Sequence, residues 1–207
     1  EEADSKKRML LGGKGAGLSE MTQLKLPVPV GFTITTEVCN KYYDDDKKLP
    51  KDVMPAVMKN IAKMEKKTGK KWNSIKNPLL VSVRSGAATS MPGMMDTILN
   101  LGLNEKTVVG LAEQTKNPRF SWDSYRRFIQ LFGKVVFGVN DEKFDHVLDA
   151  AKEKQGITDD SKLNVESLKT IVLEYKKICE EHTKRKFPDT PDEQLVLSIE
   201  AVFKSWM

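Results

Sequence analysis

Only two cysteines, Cys39 and Cys179, occur in the 207 residues. Two thiols so far apart in sequence suit free cysteines in a reducing compartment better than a disulfide scaffold. The two histidines, His146 and His182, have no Cys/His partner at a zinc-ligand spacing, and both read as exposed. No Ser-His-Asp or Cys-His pattern marks a nucleophile. No apolar run approaches the ~18 residues that a membrane-crossing helix needs. No basic start leads into an apolar stretch, so no secretory signal is expected. With 13 Gly and 9 Pro the chain is neither collagen-like nor low in complexity, and no repeat recurs at a period of 20–50 residues. One sign of charge barely dominates: 34 Lys+Arg face 29 Asp+Glu, a net +5. The basic clusters are separate and interleaved with acids, which favours solvated faces over a nucleic-acid surface.

What is present divides at about residue 103. The first part reads as mixed α and β. Met9-Leu10-Leu11 enters a glycine-rich loop, Gly12 to Gly17, and a helical pattern follows through Leu18, Met21 and Leu24 until Pro27 and Pro29. Val30, Phe32 and Ile34 alternate with Gly31, Thr33 and Thr35, which predicts a strand. Val53, Val57, Met58, Ile61 and Met64 form the apolar stripe of a lysine-rich helix. Leu79–Arg84 reads as a buried strand and Thr97–Leu103 as another. Five helices are predicted after that, with start signals at Asn104, Ser121, Asp141, Asn164 and a capping box at Thr190-Pro191-Asp192-Glu193. Gly138, Gly156 and Pro188 separate them. The expected domains are therefore an α+β part over 1–103 and a helical subdomain over 104–207.

Three stretches carry candidate chemistry. In Gly12-Gly13-Lys14-Gly15-Ala16-Gly17, glycines let backbone N–H groups approach an anion, and the helix start adds partial positive charge. Lys14 supplies a compact cation for phosphate. The spacing is neither a Walker loop nor Gly-x-Gly-x-x-Gly, and a flexible loop with an exposed lysine is the plain alternative. In Val83-Arg84-Ser85-Gly86, a guanidinium leaves the end of an apolar strand, where it either grips a phosphate bidentately or forms a structural salt bridge. In Met91-Pro92-Gly93-Met94-Met95-Asp96, soft methionines either grip a flat base or fill a core. Asp96 binds a metal or caps a turn. Tyr125-Arg126-Arg127-Phe128 has the period of an amphipathic helix with its cations outside.

Together these stretches resemble the N-terminal part of the pyruvate, phosphate dikinase family. The resemblance is carried by Leu10–Met21, Pro27–Cys39, Ser82–Leu103 and Ser124–Gly133, and Met-Pro-Gly-Met-Met-Asp at 91–96 is its most specific element. It weakens only in the lysine-rich stretches 44–77 and 150–187. The resemblance implies an α+β fold whose N-terminal portion is of the ATP-grasp type, followed by an all-helical subdomain. It assigns Lys14 and Arg84 as ATP phosphate ligands, with Gly13, Gly15, Ser85, Gly86, Met91, Gly93, Met94 and Asp96 around the nucleotide. It implies Mg2+ with ATP, and interconversion of ATP, phosphate and pyruvate with AMP, pyrophosphate and phosphoenolpyruvate.

In that family the phosphoryl group travels on a histidine of a swivelling domain to a pyruvate-binding barrel of the same polypeptide, and the full-length chain forms a homodimer. The Mg2+ carboxylates, a nearby glutamine and the catalytic histidine fall beyond the position matching Met207, and a short segment before residue 1 is missing. The expectation is thus a fragment that supplies one wall of an ATP site, without a catalytic residue or metal ligand of its own and without turnover alone. The cytoplasm is the expected compartment, with plastid or glycosome as alternatives; no nucleic-acid or membrane partner is expected. The rival reading is a stand-alone nucleotide-binding or interaction module.

Overall fold

A computed structural model describes residues 8–86 and 97–206. Eight α-helices and two strands occur among them: α1 (Arg8–Gln23), α2 (Thr36–Asp44), α3 (Val53–Thr68), β1 (Val81–Val83), β2 (Ile98–Leu101), α4 (Thr107–Thr115), α5 (Pro118–Phe137), α6 (Asp141–Gln155), α7 (Val165–Thr183) and α8 (Pro191–Lys204). The architecture is mostly helical with one small antiparallel sheet.

The chain packs as two units that do not follow chain order. The first gathers Glu1–Lys70, Arg84–Asp96 and Ile199–Met207, of which 8–70, 84–86 and 199–206 are described; the second gathers Lys71–Val83 and Thr97–Ser198. Strands β1 and β2, read above with the N-terminal half, therefore pack among the helices of the second unit.

In the first unit, α3 forms as its stripe predicts, burying Val53, Val57, Ile61 and Met64. It stops where Gly69 turns left-handed (φ 70°) and its N–H bonds the Glu65 carbonyl at 2.9 Å, a conformation that costs glycine little. Tyr42 of α2 is fully buried against Phe203, with ring centroids 5.4 Å apart. Two expectations fail in this unit. The glycine-rich stretch is not an open loop: it lies inside α1, which is kinked at Gly12 (φ 71°, ψ 167°). Residues 30–35 are not a strand. Alternation gives a strand its faces, but only a neighbouring strand gives it a ladder, and none pairs with this segment among the described residues.

In the second unit, α5 is the centre, packing on α7, α4 and β2. Its buried Tyr125, Phe128, Ile129 and Phe132 meet Leu168, Ile171, Val172 and Tyr175 of α7 in one apolar core. Gly133 allows a close approach to α6 and α7, for a Cβ there would lie 2.6 Å from Phe144 Cζ and 2.8 Å from Cys179 Sγ. The predicted start at Ser121 is corrected by one turn. Asn117 caps α5 by accepting the Phe120 N–H, Pro118 takes the first turn, and Ser121 is buried within the helix. Asn164 caps α7 and Asn140 caps α6. Thr190 caps α8 as expected, its Oγ1 accepting the Glu193 N–H, but the Glu193 carboxylate accepts from the Thr190 hydroxyl at 2.9 Å rather than from its backbone N–H. β1 pairs Val81 with Leu101 and Val83 with Ile98 across an irregular register. β1 is half-exposed rather than buried, since a two-stranded sheet covers little of itself.

Candidate functional site

The two leading sequence candidates come together in the first unit through one backbone contact. Gly12 takes a combination of φ and ψ that is essentially confined to glycine. The kink restarts the helix, so Gly13, Lys14 and Gly15 occupy the first turn of the segment that runs on to Gln23. N–H groups in such a turn lack full intrahelical partners and carry the positive end of the helix dipole. The backbone at Gly86, in the same unit, passes this point. A Cβ built on Gly12 would fall 1.5 Å from the Gly86 carbonyl oxygen, and a Cβ on Gly86 would lie 3.6 Å from that of Lys14. The glycine at 12 thus lets two backbones touch where a side chain would hold them apart, whereas a Cβ at 86 would make only ordinary contact. Gly15 plays a similar part, because a Cβ there would press on Leu11 and on Thr33 Oγ1, both at 3.2 Å.

Lys14 and Arg84 are both exposed. Neither side chain makes an ion pair or hydrogen bond with any other described residue. The structural salt bridge that would have accounted for Arg84 is therefore absent among the described residues. Ser85 is fully buried, and its Oγ has no hydrogen-bond partner. An orphaned buried hydroxyl is costly and calls for an explanation. Gly13 and Gly86 are partly exposed beside it. Met91, Gly93, Met94 and Asp96 lie outside the described residues.

The second unit holds a cavity of about 430 Å3 between β2, α5 and α6, lined in part by Asn100, Arg126, Gln130, Lys134 and Asp145. Its cations are already neutralised. Arg126 Nη2 lies 2.8 Å from Asp123 Oδ1, Arg127 Nε 3.2 Å from Asp123 Oδ2, and Lys134 Nζ 2.6 Å from Asp141 Oδ2. This corrects the reading of 125–128: Arg126 is 2% exposed and only Arg127 faces outward. The sequence signal was available in Asp123, which sits three and four residues before the two arginines. Lys176 is the other buried cation, held by Glu105 at 3.0 Å and Asp189 at 3.1 Å. Burial alone would lower its pKa, but Tyr125, Glu105 and Asp189 together push it above the usual lysine value. Burial raises both thiols, Cys179 to about 12, so neither cysteine is a nucleophile. His146 and His182 are exposed. Unpartnered cations beside a helix start are thus a feature of the first unit, and the paired charges of the second unit are structural.

A sequence profile described as pyruvate phosphate dikinase, AMP/ATP-binding domain, matches residues 8–47 and 45–207. The chain belongs to this family. It is 53% identical over its whole length to the pyruvate, phosphate dikinase of Entamoeba histolytica, covering 23% of that protein. It is 52% identical over 199 residues to the enzyme of Giardia intestinalis, with 96% of this chain and 22% of the relative aligned. It is 47% identical over 207 residues to that of Clostridium symbiosum, with 100% and 24% aligned. The chain thus spans about a quarter of the length of the curated relatives it matches. No helix among the described residues is long and apolar enough to cross a membrane.

Proposed function

We propose that this chain is the nucleotide-binding part of a pyruvate, phosphate dikinase and supplies one wall of its ATP site. The observation that carries the reading is the Gly12–Gly86 contact, which sets Lys14 and the turn behind it beside Arg84-Ser85-Gly86. Lys14 presents an ammonium and Arg84 a planar fork, two cations with no carboxylate among the described residues to neutralise them. The N–H groups of Gly13 and Gly15, in the first turn after the kink, and the Ser85 hydroxyl add uncharged donors. Such a set neutralises triphosphate oxygens and stabilises charge as a phosphoryl group departs, a positioning and electrostatic role.

In this reading the acceptor is a histidine on another domain of the same polypeptide, a third domain carries pyruvate, and the full-length enzyme is a homodimer in the cytoplasm. The ATP-grasp arrangement is completed by chain beyond this part. Mg2+ accompanies the ATP, supplying charge neutralisation. Among the described residues no three His, Cys, Asp or Glu side chains gather to hold a metal, so no magnesium ligand is assigned here. The test is phosphoenolpyruvate formation from pyruvate, ATP and phosphate. The full-length polypeptide should make it and residues 1–207 alone should not. Failure of the full-length polypeptide, or turnover by this chain alone, overturns the assignment.

A further inference from the structure

The pairing of β1 with β2 is irregular in one definite way. Two steps along β1, from Val81 to Val83, are matched by three along β2, from Leu101 to Ile98. The extra residue lets Ile98 and Leu101 both lie fully buried, although a spacing of three would put them on opposite faces of an unbroken strand. The backbone there is of unusual hand: Asn100 has φ 58° and Gly102 φ 109°. Such conformations persist where their surroundings over-determine them. Here a side chain of α8 does so. Gln194 is fully buried. Its Oε1 accepts the Gly102 N–H at 3.0 Å, and its Nε2 donates to the carbonyls of Leu103 and Pro188, each at 3.0 Å. Thr107 Oγ1 donates to the Gly102 carbonyl at 2.9 Å from the other side of the turn. Gly102 and Leu103 are themselves buried, so backbone groups that lost Gln194 would be left without a partner, which is costly.

β1 ends at Val83 and hands the chain directly to Arg84-Ser85-Gly86. A regular ladder continued from Leu101 would set Val83 opposite Leu99, 42% exposed, in place of the buried Ile98. That is a slip of one residue, about 3.4 Å along the strand. We infer that Gln194 is a positioning residue for the phosphate site. By holding Gly102 and Leu103 it keeps the bulge in β2, and through the paired strand it fixes the point from which Arg84 leaves β1. The inference rests on the proposed function for what Arg84 does, and on the hydrogen bonds of Gln194 for how Arg84 is placed.

The experiment compares the full-length polypeptide with its Gln194→Met variant, which keeps the length of the side chain and removes its donors and acceptor. Calorimetry reads the binding of a non-hydrolysable ATP analogue, kinetics the KM for pyruvate, and amide exchange the turn at Gly102. The variant should bind the analogue about 10-fold more weakly at unchanged stoichiometry, keep its KM for pyruvate, and exchange the Gly102 amide faster. Affinity within about threefold of the parent, or a fall in stoichiometry alone, would overturn the inference, because a merely structural role lowers the competent fraction and leaves affinity intact. Should the methionine variant fail to fold, Gln194→Glu decides. Its carboxylate repels the Leu103 and Pro188 carbonyls at pH 8 and becomes a donor again once protonated, which burial favours. Its affinity relative to the parent at the same pH should recover about threefold between pH 8 and pH 5.5; equal ratios at both would overturn the inference. A parent that binds no analogue refutes the proposed function, and exchange at Gly102 then decides whether Gln194 holds the turn: faster exchange in the variant supports it and equal exchange overturns it.

Discussion

Replacing Gly12 by alanine tests the site at the atom on which it turns. The new Cβ would sit 1.5 Å from the Gly86 oxygen, whereas non-bonded contact requires roughly 3.5 Å. The Arg84–Gly86 segment must therefore retreat by about 2 Å, because both groups at the clash are backbone. The conformation at φ 71° and ψ 167° adds its own penalty, about 1–3 kcal/mol for a side chain in a glycine-only region. Overpacking of this kind costs a further ~1–3 kcal/mol. If only ~2 kcal/mol of this falls on the arrangement that brings Lys14 beside Gly86, affinity for a triphosphate drops roughly 30-fold.

The measurement is calorimetric titration of the full-length polypeptide with a non-hydrolysable ATP analogue, beside its thermal unfolding. Gly17→Ala is the internal control, since a Cβ there meets nothing within 4 Å and its φ is ordinary. That variant should keep its affinity and gain about 0.5–1 kcal/mol, the usual benefit of alanine over glycine inside a helix. A Gly12→Ala protein that binds nucleotide within threefold of the parent would refute the idea that this contact builds the site.

Arg84→Ala should lower kcat/KM by the equivalent of about 3–4 kcal/mol, as loss of a charge-assisted donor to a reacting group does, with unfolding temperature unchanged. Normal turnover, or failure to fold, would count against Arg84 as a phosphate ligand. Lys14→Arg should not restore full activity, because a planar fork does not replace a compact ammonium; exchange of residues 11–18 should slow with nucleotide in the parent, and equal exchange in both states would return the stretch to a bystander. Gly133→Ala should destabilise the second unit by about 1–3 kcal/mol by crowding Phe144 and Cys179, read as a lower denaturation midpoint with nucleotide affinity unchanged. Burial raises the Cys179 thiol to about 12, so its contribution is fully present below the unfolded value of about 8.5 and is lost as pH rises toward 12. The denaturant midpoint should therefore fall between pH 8.5 and 11, and Cys179→Ala should flatten that fall; identical slopes in the two proteins would remove the thiol from the account.

The sequence by itself determined what depends on neighbours in the chain. Periods of 3.6 residues placed the buried faces of α3, α5 and α7, and Asn164 and the Thr190–Glu193 stretch placed helix starts, because caps and stripes are satisfied within a turn or two. The motifs at 10–21 and 82–103 were sufficient to name a family. Tertiary structure decided the rest. Six residues rich in glycine read as a loop, yet packing against Thr33 and Gly86 holds most of them in a helix and leaves one sharp kink. The alternation at 30–35 reads as a strand, yet a strand needs a partner, and none of the described residues provides one. Arg126 reads as an outer-face cation, yet Asp123 and the surrounding core take it inside. Which glycine of the first stretch mattered most was likewise invisible, since all carry the same freedom. Gly12 stands apart only because another backbone, more than seventy residues away in sequence, passes through the space its side chain would fill.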